Sequence, residues 1–86
     1  MFFSIGFLKP VQKFVKKLDN QTKLRLQKGI NKLAIQPIPH DAVRVEGEKE
    51  KVFRIRVGNF RVLYVVHYKE KEITVFKIDK RSRVYD

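Results

Sequence analysis

The chain has 86 residues and carries Lys+Arg 20 against Asp+Glu 9, a net charge of +11. That length supports one modest core, so residues 1–86 read as a single domain, and the charge calls for a polyanionic partner, nucleic acid ahead of a membrane surface. With Cys 0 there are no disulfides and no thiolate metal sites, His40 and His67 alone make no metal cluster, and no run approaches the ~20 apolar residues of a membrane span, so a soluble, cytoplasmic protein without cofactor or metal is expected.

Residues 2–8 read as a first strand with Phe3, Ile5 and Phe7 on one side. Pro10 then suits the first turn of a helix, where a missing N–H costs nothing. Val11, Phe14, Val15 and Leu18 follow at helical spacing, with Gln12, Lys13, Lys16 and Lys17 turned to water. Asp19-Asn20 interrupts this helix and offers a cap for the next. The second helix is expected from about Thr22 to Ile35, with Leu26, Ile30 and Leu33 inward and Leu24 and Ala34 as further inward candidates. Gly29 costs roughly 1 kcal/mol against Ala in a helix and suggests close packing at that point. The outer positions Lys23, Arg25, Lys28 and Lys32 are basic.

Pro37 and Pro39 end the helical hairpin, and residues 38–51 read as a connector with a short strand at Val43 to Val45. Glu46, Glu48 and Glu50 gather much of the acidic charge there.

The most informative stretch is residues 53–64. An alternating apolar and basic run enters Gly58-Asn59 and a β-rich run leaves it, the pattern of two antiparallel strands joined by a tight turn. With Gly58 and Asn59 as the loop, Val57 faces Phe60, Arg56 faces Arg61, Ile55 faces Val62 and Arg54 faces Leu63. Phe53, Ile55, Val57, Phe60, Val62 and Tyr64 then share one face, and Arg54, Arg56 and Arg61 share the other. Like charges opposite one another destabilise a ladder, by up to roughly 1 kcal/mol. A fold has no need of this arrangement. A phosphate relieves it, because Arg binds phosphate oxygens in a bidentate way.

A turn over residues 68–71 leads into a strand from about Glu72 to Ile78, read with Ile73 and Val75 alternating against Phe76 and Ile78. The register here leaves the side of Lys77 open. The chain ends in the basic run Lys80-Arg81-Ser82-Arg83-Val84-Tyr85, in which Val84 and Tyr85 are potential anchors. The whole is an α+β arrangement: an N-terminal strand, an αα-hairpin, then a mainly antiparallel three-to-four-stranded sheet with the helices on one face.

This order of elements, with Phe-Arg-Ile-Arg-Val-Gly-Asn-Phe-Arg-Val-Leu-Tyr and the ending Lys-Arg-Ser-Arg-Val-Tyr, resembles the RelE/ParE superfamily of toxins, and within it archaeal RelE-like proteins. The resemblance implies a ribosome-dependent endoribonuclease that cuts mRNA in the A site and is restrained by a RelB-like antitoxin. It assigns Arg61 to the scissile phosphate, Arg81 to developing charge, and Tyr85 to base stacking or proton transfer. Arg54 and Arg56 fall where bacterial members carry lysines, and Lys80 and Arg83 join the same set as RNA contacts. Arginine is a poor base at neutral pH, so Arg54 and Arg56 position phosphate, and Tyr85 or the ribosome must assist deprotonation of the 2′-OH. Arg44 has at most a minor role. Two alternatives remain: a ParE-like poison of DNA gyrase, and a nucleic-acid-binding module without chemistry.

Overall fold

The computed structural model describes residues 2–45 and 51–80. Strand β1 (Ser4–Phe7) leads into helix α1 (Lys9–Lys16), helix α2 (Asn20–Asn31) and a 3₁₀ turn (Lys32–Ala34). Strands β2 (Val43–Arg44), β3 (Val52–Val57), β4 (Phe60–His67) and β5 (Glu72–Lys80) complete one five-stranded sheet in the order β1-β5-β4-β3-β2. The strand β1 pairs parallel with β5; the remaining pairs are antiparallel. The sheet thus has one strand more than expected, because the two-residue β2 pairs with β3 and the N-terminal strand joins the far edge.

Pro10 lies in the first turn of α1, and the side chain of Asp19 caps α2 by accepting from the Thr22 amide at 3.4 Å. The Thr22 hydroxyl, which donates to the same carboxylate, holds the Asp19 carboxyl below its usual range, with the amide bond as a lesser cause. Helix α1 presents Val11, Phe14 and Val15 to the sheet, joined by Leu18 just past its end, and α2 presents Leu26 and Ile30, continued by Leu33 of the 3₁₀ turn. Full burial of a Leu or Ile side chain contributes roughly 1.5–3 kcal/mol, so these stripes are what fasten the hairpin. Leu24 does not join them. It is 57% exposed, because it lies across the helix from the Leu26 and Ile30 stripe.

The sheet contributes Phe53, Ile55, Val57, Val62, Tyr64, Ile73, Val75 and Ile78 to this core. Ile78 lies with Ile73 and Val75, against the alternation expected for β5. The β4–β5 ladder is irregular between Leu63 and Tyr64: Leu63 pairs with Lys77 and Tyr64 with Val75, so Phe76 is an extra residue and the parity of the strand changes after it. Phe7 also departs from expectation, since at the end of β1 it is partly exposed while Phe3 and Ile5 pack against the core.

Gly29 lies directly over Val57. A Cβ built there would come within 2.7 Å of a Val57 methyl, so the glycine is what lets α2 approach β3. Tyr64 is fully buried and donates its hydroxyl to the Pro37 carbonyl at 2.7 Å, which ties the connector to the helix-covered side of the sheet. Burial, with Asp41 and Tyr68 as lesser causes, pushes the Tyr64 phenol well above its ordinary range.

Candidate nucleic-acid interface

The hairpin of β3 and β4 has the register that Gly58-Asn59 dictates. Val57 pairs with Phe60, Arg56 with Arg61, Ile55 with Val62 and Arg54 with Leu63. Gly58 has φ +60, while Asn59 does not have positive φ, the pattern of a II′ turn with Gly at its first central position. Helices cover the opposite face, so Arg54, Arg56 and Arg61 stand together on the face that the helices leave uncovered. Arg54 and Arg56 also border a concavity of about 270 Å³ with Asp41 and Val43 at the β2 edge.

The adjoining strand adds two charged groups that the alternation of 53–64 does not contain. Asp79 pairs with Arg61 and Lys77 with Leu63. The Arg61 Nε donates to Asp79 Oδ1 at 3.1 Å, and Lys77 Nζ lies 3.7 Å from Asp79 Oδ2. One row across three strands therefore reads Arg56, Arg61, Asp79, with a repulsive pair followed by an attractive one. The Arg61 side chain is 23% exposed and that of Asp79 34%, so the pair is partly shielded from solvent. Sequence reasoning missed Asp79 and left Lys77 undecided because the bulge at Phe76 sets the parity of both.

Other expected contacts lie elsewhere. Lys80 pairs with Phe60 and so alternates away from the arginine face, and Arg44 pairs with Phe53, likewise on the opposite parity from Arg54. Arg81, Arg83 and Tyr85 fall outside the described residues, as do Glu46, Glu48 and Glu50. His67 shares the parity of Arg61 but lies six residues along β4, where its Nε2 is 3.3 Å from the Thr74 hydroxyl. Among the described residues, no three His, Cys, Asp or Glu side chains come together as a metal site, and no helix is long and apolar enough to cross a membrane. What the arginine face can do is bind a phosphate and stabilise added negative charge on it.

Two helices on one face of this sheet, with a cationic opposite face, define a small α+β fold that recurs among solved toxin structures. The solved archaeal RelE–RelB complex from Pyrococcus horikoshii contains a chain that superposes with a TM-score of 0.84 at 28% identity, covering 98% of this chain and 100% of that one. The isolated E. coli RelE toxin has the same fold, with a TM-score of 0.80 at 18% identity over 99% of this chain and 89% of that one. A Methanocaldococcus jannaschii protein that carries the provisional name toxin RelE1 is 35% identical over 99% of this chain and 97% of its own length. The family model described as the ParE toxin of the type II toxin-antitoxin system parDE matches residues 3–85. The chain belongs to this family, within the RelE/ParE superfamily, and is a RelE-like toxin of a toxin–antitoxin system.

Proposed function

We propose that the protein is a ribosome-dependent endoribonuclease that cuts mRNA in the A site and so inhibits translation. The observation that carries this reading is the convergence of Arg54, Arg56 and Arg61 on the uncovered sheet face. In the proposed reaction the 2′-oxygen attacks the adjacent phosphorus, a 2′,3′-cyclic phosphate forms, and the bond to the 5′-oxygen breaks as that oxygen gains a proton. Arg61 stabilises the charge that builds on the non-bridging oxygens, and Arg54 and Arg56 hold the RNA in register. Arg81 adds charge stabilisation and Arg83 adds an RNA contact, while Tyr85 stacks on a base or assists proton transfer; Lys80, which alternates away from the arginine face, takes no part. Removal of the 2′-OH proton falls to Tyr85 or the ribosome, since guanidinium groups do not accept it.

The relatives of known structure include complexes of RelE with RelB, which supports a RelB-like antitoxin as partner. A protein that acts on ribosomes works in the cytoplasm.

Primer extension on an mRNA set in the ribosomal A site, beside the same RNA free in solution, tests the proposal. Cuts confined to the ribosome-bound codon are expected, and Arg61→Ala should abolish them with the fold intact. A variant that cuts normally would refute the role given to Arg61. The family model's ParE description favours a second reading, poisoning of DNA gyrase. It predicts no cut in either RNA sample and a block of gyrase supercoiling.

A further inference from the structure

A second basic surface meets the arginine face around the edge of the sheet. The strand β2 pairs only with Phe53 and Arg54, so among the described residues no strand flanks the Ile55–Val57 half of β3 on that side. A groove of about 490 Å³ opens there between β3, α2 and the connector. Arg25, Lys28 and Lys32 of the helical hairpin line one wall and Arg56 the other, so among the described residues four cations stand against the carboxylate of Asp41.

The helix is brought to this place by packing. Gly29 sits on Val57 with no room for a side chain, so its neighbours at one helical turn, Arg25 and Lys32, are drawn to the strand edge beside Arg56. Arg25 also reaches the hairpin turn, where its Cδ lies within 3.5 Å of the position a Cβ on Gly58 would take. From Arg25 to Lys32 the helix advances roughly 10 Å, about the span of two nucleotides of an extended strand. Arg56 and Asp41 border both this groove and the concavity beside Arg54, which makes the two surfaces continuous.

We propose that this groove is a track for the backbone of single-stranded RNA, carrying the strand from the arginine face over Arg56 and along α2. The proposal rests on the reading that the arginine face holds an RNA phosphate. Arg25, Lys28 and Lys32 pair with successive phosphates outside the cleaved linkage. Asp41, at the junction, repels phosphate and accepts a hydrogen bond from a ribose 2′-OH, which favours RNA over DNA.

Binding of the intact protein to single-stranded RNAs of about twelve and about four nucleotides tests this, read as fluorescence anisotropy over a salt series. The variant Arg25→Gln/Lys28→Gln/Lys32→Gln is compared with Lys9→Gln/Lys13→Gln/Lys17→Gln, which removes the same charge from exposed positions on and beside α1. The groove variant should lose roughly tenfold or more in affinity for the longer RNA at about 0.1 M salt, with a salt slope shallower by about two. Its affinity for the short RNA and the affinity of the α1 variant for both should change by less than about threefold. Equal losses from the two variants, or no loss from the groove variant, would overturn the track. A groove variant that binds RNA normally but is weakened toward an oligoglutamate peptide would also overturn it, in favour of an acidic polypeptide. Because the readout is binding without ribosomes, failure here is distinct from failure of the cleavage reading, which the A-site assay judges.

Discussion

Arg61 and Asp79 occupy opposed positions on β4 and β5, with the guanidinium Nε 3.1 Å from the carboxylate. Across the other ladder Arg61 faces Arg56. The carboxylate offsets the like-charge repulsion on that side and fixes the direction of the guanidinium through its Nε, while Lys77 engages the second carboxylate oxygen.

Replacing Asp79 with Asn removes a negative charge beside the proposed phosphate position. Single-stranded RNA should bind several-fold more tightly at low salt, while thermal stability should change by less than about 1 kcal/mol because the pair is partly exposed. Anisotropy titration and thermal melts read the two effects. Unchanged affinity would place the RNA away from Arg61.

The substitution Arg56→Glu converts the repulsive pair with Arg61 into an attractive one. The fold should gain up to about 1 kcal/mol in denaturant unfolding, and RNA affinity should fall. A variant both more stable and weaker in binding shows that the like-charge pair is kept for the ligand. Loss of stability would contradict this.

Gly29→Ala offers about 1 kcal/mol of helix propensity but places a methyl group against Val57. Overpacking typically costs about 1–3 kcal/mol, so the variant should be less stable than the parent. Combining it with Val57→Ala makes the space, and the double variant should be less destabilised than the sum of the two single ones. Additive losses in a denaturation cycle would show that the helix shifts without strain.

The buried Tyr64 phenol predicts an alkaline limit to stability. Its folded pKa lies above that of the unfolded chain, so the unfolded state loses its proton first as pH rises. The contribution is fully present below about pH 10 and declines above it, by about 1.4 kcal/mol per pH unit. Tyr64→Phe should be less stable at neutral pH by about 1–2 kcal/mol, because the Pro37 carbonyl loses its donor. It should also lack one proton's worth of the alkaline slope, so the two stability curves converge above about pH 10. Parallel curves would show that another group sets that limit.

Local chemistry determined much of this molecule. Pro10 and Asp19 mark the helix starts, and helical spacing selects Val11, Phe14, Leu26, Ile30 and Leu33 for the core. Gly58-Asn59 permits only one close pairing of its flanking strands, so the register of residues 54–63 and the shared face of Arg54, Arg56 and Arg61 are legible in the amino-acid sequence itself. Long-range packing decided the rest. The strand β1 lies beside β5, from which helices and three strands separate it along the chain, and period-two alternation carries no information about such a partner. One extra residue at Phe76 turns Ile78 into the core and Asp79 toward Arg61. The gain from burying Ile78 depends on the helices above it, so the position of that bulge, and with it the carboxylate beside Arg61, is a property of the assembled layers and not of β5 alone. The same holds for Gly29, whose missing side chain matters only because Val57 lies beneath it and Arg56 beside it.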